Sequence, residues 1–238
     1  MKKRLQVILS HAGISSRRHA VEVIESGRVR VNGIVVREKG FRVEIGSDKV
    51  EFDGRIIKSE KKVYYILNKP YGLITTSNDE MGRATVLDVI RDSSLRVYPV
   101  GRLDKDTEGL LILTNDGDLS FRLTHPKFGI KKVYIVSVKG HLSKRDMEIL
   151  EKGIYLDGKK TAPCKFALIK PGKTKSVFRA ELHEGRKRQI RRMLGSIDCR
   201  VLKLVRVEYA GIKLRSLRPG EYRRLNSKEI EELKNAAR

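Results

Sequence analysis

Residues 100–117, VGRLDKDTEGLLILTNDG, set Arg102, Asp104, Lys105, Asp106 and Glu108 directly ahead of the apolar run from Gly109 to Leu113. Carboxylates at the mouth of a buried strand can serve three chemistries. The first is metal binding. DKDTEG, from Asp104 to Gly109, opens like a calcium loop, but the twelfth position is Asn115, which cannot supply a bidentate carboxylate. A strand follows where a calcium loop needs a turn and a helix, and Arg102 and Lys105 compete for the same negative charge. The second chemistry is a paired acid and base, as in glycosidases. Asp104 and Asp106 sit only two apart in one short loop, a less natural arrangement for a productive pair; a partner elsewhere in the fold remains open. The third is one carboxylate acting as a nucleophile, kept ionised by nearby cations. Arg102 shares the parity of Asp104 and would lie on its side of the chain. Beside these stands a plain surface ion-pair loop capping a strand, which spacing alone favours.

The elements that must position this loop follow from periodicity. VYYIL (63–67) reads as a strand, NKPYG (68–72) as a turn and TVLDVI (85–90) as a short helix. RVYPV (96–100) and GLLIL (109–113) are strands around the loop. DLSFRLTHP is a helix stopped by Pro126, KKVYIVSVKG a strand and KRDMEILEKG a helix. SVFRAELHEG is a strand leading into the helix KRQIRRMLG; VLKLVRVEYAGIKL supplies late strands and SKEIEELKNAAR a terminal helix. Strands and helices mix without regular βαβ alternation. This predicts an α+β fold with a mainly antiparallel mixed sheet flanked by helices. Residues 157–176 carry no motif.

The 238 residues hold 52 Lys+Arg against 29 Asp+Glu, a formal net charge of +23. Such a surplus points to a polyanionic partner, nucleic acid before an acidic membrane. No apolar run approaches the ~20 residues of a membrane span. Cys164 and Cys199 suit a reduced cytosol, and the cysteines and histidines lack metal-ligand spacing. Residues 1–58 read as a separate module. Leu5, Ile8 and Leu9 share a helical face ended by Gly13; Ser15 or Ser16 caps a second helix carrying Ala20, Val23 and Ile24 and stopping near Gly27. Two hairpins follow, turning at Asn32-Gly33 and Asp53-Gly54. Arg17 and Arg18 are expected in the first turn of the second helix, where the dipole disfavours cations. Arg28 and Arg30 share a strand face. Either this is a solvated basic surface, or an outside anion such as a phosphate backbone offsets the dipole.

The helix–hairpin order with SSRRHAVEVIESGRVRVNG resembles the S4 RNA-binding domain, which implies structured RNA. GRLDKDTEGLLILTNDG resembles the catalytic motif of ribosomal RNA pseudouridine synthases, G-R-L-D-x-x-T-x-G-L-L-L-L-T-N-D-G. The resemblance makes Asp104 the catalytic residue and leaves Asp106 and Glu108 as solvated loop charges at variable positions. KKVYIV resembles the family's K-x-Y-x-V and makes Tyr134 the residue that stacks on the target base. EGRKRQIRRML resembles E-G-R-x-R-Q-[IV]-R-R-M and implies that Arg191 pairs with the catalytic Asp. Arg186, Lys187, Arg188 and Arg192 form a basic face suited to phosphate. LNKPYGLITT, LRPGEYRRL and VLKLVRVEYAGIKL match further family stretches. The RsuA-type branch with an N-terminal S4 domain fits best, closest in look to its large-subunit members. The expected division is an S4 domain at 1–58, a linker at 59–62 and a catalytic domain at 63–238.

The implied reaction cuts the uridine N1–C1′ bond, turns the base and joins C5 to C1′. Atoms are neither gained nor lost, so no cofactor and no metal is expected. Asp104 would meet the cationic character at C1′, with Arg191 and Arg102 holding it ionised. The expected partner is ribosomal RNA or a ribosome-assembly intermediate, with 23S preferred to 16S. The chain is expected to be a cytoplasmic monomer without membrane contact. Rival readings are a small-subunit enzyme, a non-catalytic RNA-binding or assembly factor, and a hydrolase that would release free uracil.

Overall fold

The computed structural model describes residues 2–90 and 95–238, which fall into two compact units. In the smaller, residues 2–63 with 95–96, β1 (Lys2–Arg4) pairs antiparallel with β4 (Arg42–Glu44). Helices α1 (Leu5–His11) and α2 (His19–Glu25) are followed by a sheet of order β3-β2-β5-β6. Its strands are β2 (Val29–Val31), β3 (Ile34–Val35), β5 (Val50–Phe52) and β6 (Arg55–Ile56). Both hairpins turn where expected: Asn32-Gly33 and Asp53-Gly54 all have positive φ, the geometry of tight primed turns. Leu5, Leu9, Ala20, Val23, Ile24, Val29, Val31 and Val43 close a core of their own. Arg17 and Arg18 lie in the turn before α2 rather than inside its first turn, because the Ser16 hydroxyl accepts from His19 N at 3.2 Å and starts the helix there. Residues 57–63 form no strand or helix, yet Glu60 N donates to His11 O at 3.2 Å.

The larger unit, residues 64–90 with 97–238, is built on a nine-stranded sheet of order β13-β14-β10-β15-β9-β7-β17. Its strands are β7 (Tyr64–Lys69), β8 (Tyr98–Pro99), β9 (Glu108–Thr114) and β10 (Lys132–Lys139). A small hairpin, β11 (Tyr155–Leu156) with β12 (Lys159–Lys160), stands apart from the sheet. The sheet resumes with β13 (Lys165–Lys170), β14 (Lys175–Leu182), β15 (Val201–Tyr209), β16 (Ile212–Lys213) and β17 (Tyr222–Arg224). β16 pairs with β15, and β8 with β9. Every pairing is antiparallel except β15 with β9, which run parallel through Val205–Glu108 and Arg206–Gly109. Among the described residues four α-helices, α3 (Gly117–Thr124), α4 (Lys144–Glu151), α5 (Gln189–Gly195) and α6 (Ser227–Ala236), and a short 3-10 turn at Pro126–Phe128 complete the unit.

Two cores back the sheet. One gathers Tyr64, Ile66, Leu110, Ile112, Leu119, Leu123 and Leu233 from β7, β9, α3 and α6. The other gathers Val136, Val138, Leu150, Phe166, Phe178, Met193 and Leu204. The expected helix over TVLDVI is not formed. Val86 N is spent on Ile74 O at 3.0 Å and Asp88 accepts from Thr85 N at 2.7 Å, which leaves a turn closed by Ile90 N on Leu87 O. RVYPV contributes only the two-residue β8. Among the described residues no helix is long and apolar enough to cross a membrane.

Candidate active site

The charged loop sits at the parallel seam between β9 and β15, and the seam explains its glycine. A Cβ on Gly109 would lie 2.3 Å from the Arg206 carbonyl oxygen, and φ is +105°, so only glycine lets β9 approach β15 here. Upstream, the loop is fastened residue by residue. Thr75 Oγ1 donates to Leu103 O at 2.8 Å, and Gly72 N to Lys105 O at 2.9 Å. Lys69, fully buried at the end of β7, donates from Nζ to Thr107 O at 2.9 Å and Pro70 O at 3.1 Å, with Lys105 O at 3.4 Å. Burial pushes this ammonium down to about 8, against the pull of Glu108, Asp106 and Asp104. The far end of the motif is structural too. Asp116 caps α3 by accepting from Leu119 N at 3.2 Å, and receives the Tyr64 hydroxyl at 2.8 Å.

The two loop aspartates part company. Asp106 takes both Arg188 guanidinium nitrogens at 2.9 and 3.0 Å, and Arg191 Nε lies 3.2 Å from its carboxylate. Arg191 Nη2 also donates to Asp106 O at 2.7 Å. Burial opposes ionisation of Asp106, but the two arginines hold its carboxyl below the usual range. Asp104 turns the other way, half-buried in the wall of a pocket of about 580 Å³. Among the described residues no side chain pairs with its carboxylate. The expected Arg191–Asp104 pair is therefore not formed, and Asp106 is not a solvated loop charge. The reason is a turn: Thr107 N closes on Asp104 O at 3.0 Å, so Lys105 and Asp106 occupy a bend rather than an extended stretch, and Asp106 meets Arg188 and Arg191 while Asp104 faces the pocket. Arg102 also lines the pocket, exposed and without an ion pair among the described residues, so it does not pair with Asp104 either.

Tyr134 enters the same pocket from β10. A bulge between Val133 and Tyr134 re-aims the strand, so that Tyr134 stands opposite Arg206 of β15 and Ala180 of β14. The opposite wall is the turn before α5. Glu184 accepts from Gln189 Nε2 at 2.7 Å and Ala162 N at 3.0 Å, while Gln189 Oε1 accepts from Arg186 N at 3.0 Å. Arg188 is forced to φ 52°, a left-handed conformation costly for a side-chain-bearing residue.

The basic face expected here is largely committed internally. Arg186 donates to Lys159 O at 2.7 Å and also to Lys160 O, and Arg192 grips Asp157 at 2.6 and 2.9 Å. With Arg188 on Asp106, these side chains staple the β11–β12 hairpin and the 102–108 loop around the pocket. Lys187 stays exposed. In the smaller unit Arg28 pairs with Asp53 and lies 4.6 Å over the Phe52 ring. Arg17, Arg18 and Arg30 are exposed and without an ion pair among the described residues. Sequence reasoning missed Lys69, Thr107, Lys132 and Arg206. The signal for Lys69 and Arg206 was a basic residue inside an otherwise apolar strand, where charge is rarely buried without a task.

Comparison with known proteins follows the same outline. The family model described as RNA pseudouridylate synthase matches residues 63–196, and that of the S4 domain residues 3–50. The chain is 46% identical over 237 residues to ribosomal large subunit pseudouridine synthase B of Bacillus subtilis, covering 99% of this chain and 97% of that one. It is 41% identical over 234 residues to an uncharacterized RNA pseudouridine synthase of Aquifex aeolicus, covering 98% and 94%. A crystal structure of a pseudouridylate synthase superposes with a TM-score of 0.71 at 29% identity, over 97% of this chain and 99% of that chain.

Proposed function

We propose, from the premise that this chain belongs to the RNA pseudouridylate synthase family, that it isomerises one uridine of 23S ribosomal RNA with Asp104 as its catalytic residue. The observation that carries the reading is the contrast within one loop. Asp106 is saturated by arginine, whereas Asp104 faces the pocket unpaired, beside Tyr134 and on a backbone tied at Leu103, Lys105 and Thr107. A carboxylate held this way is available to a sugar carbon. A pocket of about 580 Å³ takes one flipped nucleoside.

The reaction runs in three moves. Tyr134 stacks on the flipped uracil. The N1–C1′ bond breaks, and Asp104 meets the cationic character at C1′. The base turns within the pocket, C5 joins C1′, and the C5 proton is lost while N1 gains one. Tyr134 keeps the loose base from escaping, and the base filling the pocket keeps water from C1′. Arg191 and Arg188 act as positioning residues that fix the loop through Asp106. Residues 1–58 serve as an S4 module that grips folded RNA with Arg17, Arg18 and Arg30, joined at 59–62 to a catalytic domain at 63–238. Lys187 and Arg102 meet phosphates at the pocket mouth. The substrate is ribosomal RNA or an assembly intermediate, met by a monomer in the cytoplasm. Large-subunit RNA is preferred because the Bacillus subtilis relative, named for the large subunit, aligns over nearly the whole of both chains.

Pseudouridine mapping of ribosomal RNA from cells with and without this gene tests the reading. Loss of a single pseudouridine in 23S is expected. Loss in 16S would move the substrate to the small subunit, and an unchanged map of both RNAs would refute the assignment.

A further inference from the structure

Arg206 is the anomaly of the pocket. It is 2% exposed, lines the wall, and forms no ion pair among the described residues. Nε donates to Leu110 O at 2.7 Å, and the Tyr209 ring covers the guanidinium at 4.6 Å. Nη2 is buried with no hydrogen-bond partner. Thr107, another pocket residue, is 2% exposed and its hydroxyl is equally orphaned. Lys132 adds a second cation in the same wall. Its Nζ donates to Ile130 O at 2.7 Å and lies 5.6 Å from the centre of the Tyr209 ring. Glu184 attracts Lys132 through space, but its hydrogen bonds go to Ala162, Gln189 and Arg186, and neither it nor the unpaired Asp104 forms an ion pair with Arg206 or Lys132 among the described residues. Buried charges and buried donors are normally satisfied, so an acceptor must arrive with the ligand.

Resting on the isomerase reading above, we propose that Arg206 Nη2, assisted by the Thr107 hydroxyl and the Lys132 ammonium, receives a carbonyl oxygen of the uracil as the base detaches. When N1–C1′ breaks, its electron pair stays with the base and spreads from N1 onto O2 and O4. No proton moves in that step, so uracil leaves as an anion, while Asp104 meets the positive carbon. Register supports the placement. Tyr134 and Arg206 are cross-strand partners, so the stacking ring and the fork rise from one row of the sheet, with Gly109 clearing the next position. A phosphate is the other anion on RNA, but it stays with the backbone, where Arg102 and Lys187 are exposed, whereas Arg206 is enclosed.

The test compares transcribed ribosomal RNA carrying uridine with the same RNA carrying 5-fluorouridine. Fluorine withdraws electrons and makes the base a better leaving group, so it needs less help from Arg206. Single-turnover consumption of the target nucleoside is measured for wild type, R206Q, R206K and T107V. On uridine R206Q should lose about 100-fold, the scale of one preorganised donor to a developing oxyanion. On 5-fluorouridine the loss should shrink to about ten-fold or less, with RNA affinity unchanged and R206K partly restored. T107V should show the same substrate dependence at smaller size, which keeps the test open if R206Q does not fold. Equal losses on both substrates, or a loss confined to RNA affinity as for a phosphate contact, would overturn the proposal. Wild type that makes no pseudouridine would instead overturn the isomerase reading itself.

Discussion

Asp106→Asn separates fastening from chemistry. The substitution keeps the shape and one acceptor oxygen but removes the charge that Arg188 and Arg191 share at 2.9–3.2 Å. The side chains are 29%, 42% and 14% exposed, so water screens the Arg188 half of the contact. A fully buried pair would cost several kcal/mol to break, whereas an exposed one costs less than about 1 kcal/mol. Arg191 also keeps its bond to Asp106 O at 2.7 Å. A loss of roughly 1–2 kcal/mol is therefore expected, which lowers Tm by about 2–8 °C for a chain of this size. If that energy holds Asp104 in place, the rate falls by about 5–30-fold, since 1.4 kcal/mol is a factor of ten. Differential scanning fluorimetry and single-turnover pseudouridine formation read the two effects. An Asp106→Asn protein with unchanged Tm and no detectable turnover would refute the reasoning, because Asp106 would then belong to the chemistry.

Other outcomes follow from the same geometry. Gly109→Ala drives a Cβ to 2.3 Å from Arg206 O at φ +105°, so it should cost about 3–6 kcal/mol in strain and overpacking, measured by urea unfolding. A shift below about 1 kcal/mol would mean that the parallel seam yields easily. Lys69 binds its proton less tightly folded, near 8, than unfolded, near 10.5, so between these values the unfolded chain holds more protons and stability rises with pH. Wild type should gain on Lys69→Met by roughly 2 kcal/mol between pH 8 and 9.5, and a constant difference would contradict the buried charge. Removing residues 2–58 should weaken RNA binding about ten-fold or more and flatten its salt dependence, while circular dichroism shows the larger unit still folded. Loss of helicity with loss of binding would deny the smaller unit its own core.

What the sequence could show depended on how far apart the partners lie. β9 reads directly from GLLIL, and the hairpin turns at Asn32-Gly33 and Asp53-Gly54 read from their turn dipeptides, because each is settled within a few residues. TVLDVI failed as a helix because a non-local bond, Val86 N to Ile74 O, competes with a segment too short to sustain helical turns. The motif pointed to Asp104, but the turn that Thr107 N closes on Asp104 O, which parts it from Asp106, does not show in the spacing. The partner of Asp106 was invisible: Arg188 lies 82 residues away, and the basic run around it reads as a phosphate face until the fold shows four of its arginines occupied. Lys69 and Arg206 were hidden for the same reason. The local pattern shows only a basic residue in a strand; that it is buried depends on strands brought together across the seam.

The central claim is that the carboxylate of Asp104 does the work at C1′. Tritium release from [5-³H]uridine-labelled ribosomal RNA measures it directly, with RNA affinity determined in parallel. Wild type should release tritium at its target uridine, and Asp104→Asn should release none while binding the RNA as tightly. Substantial release by Asp104→Asn would contradict the account.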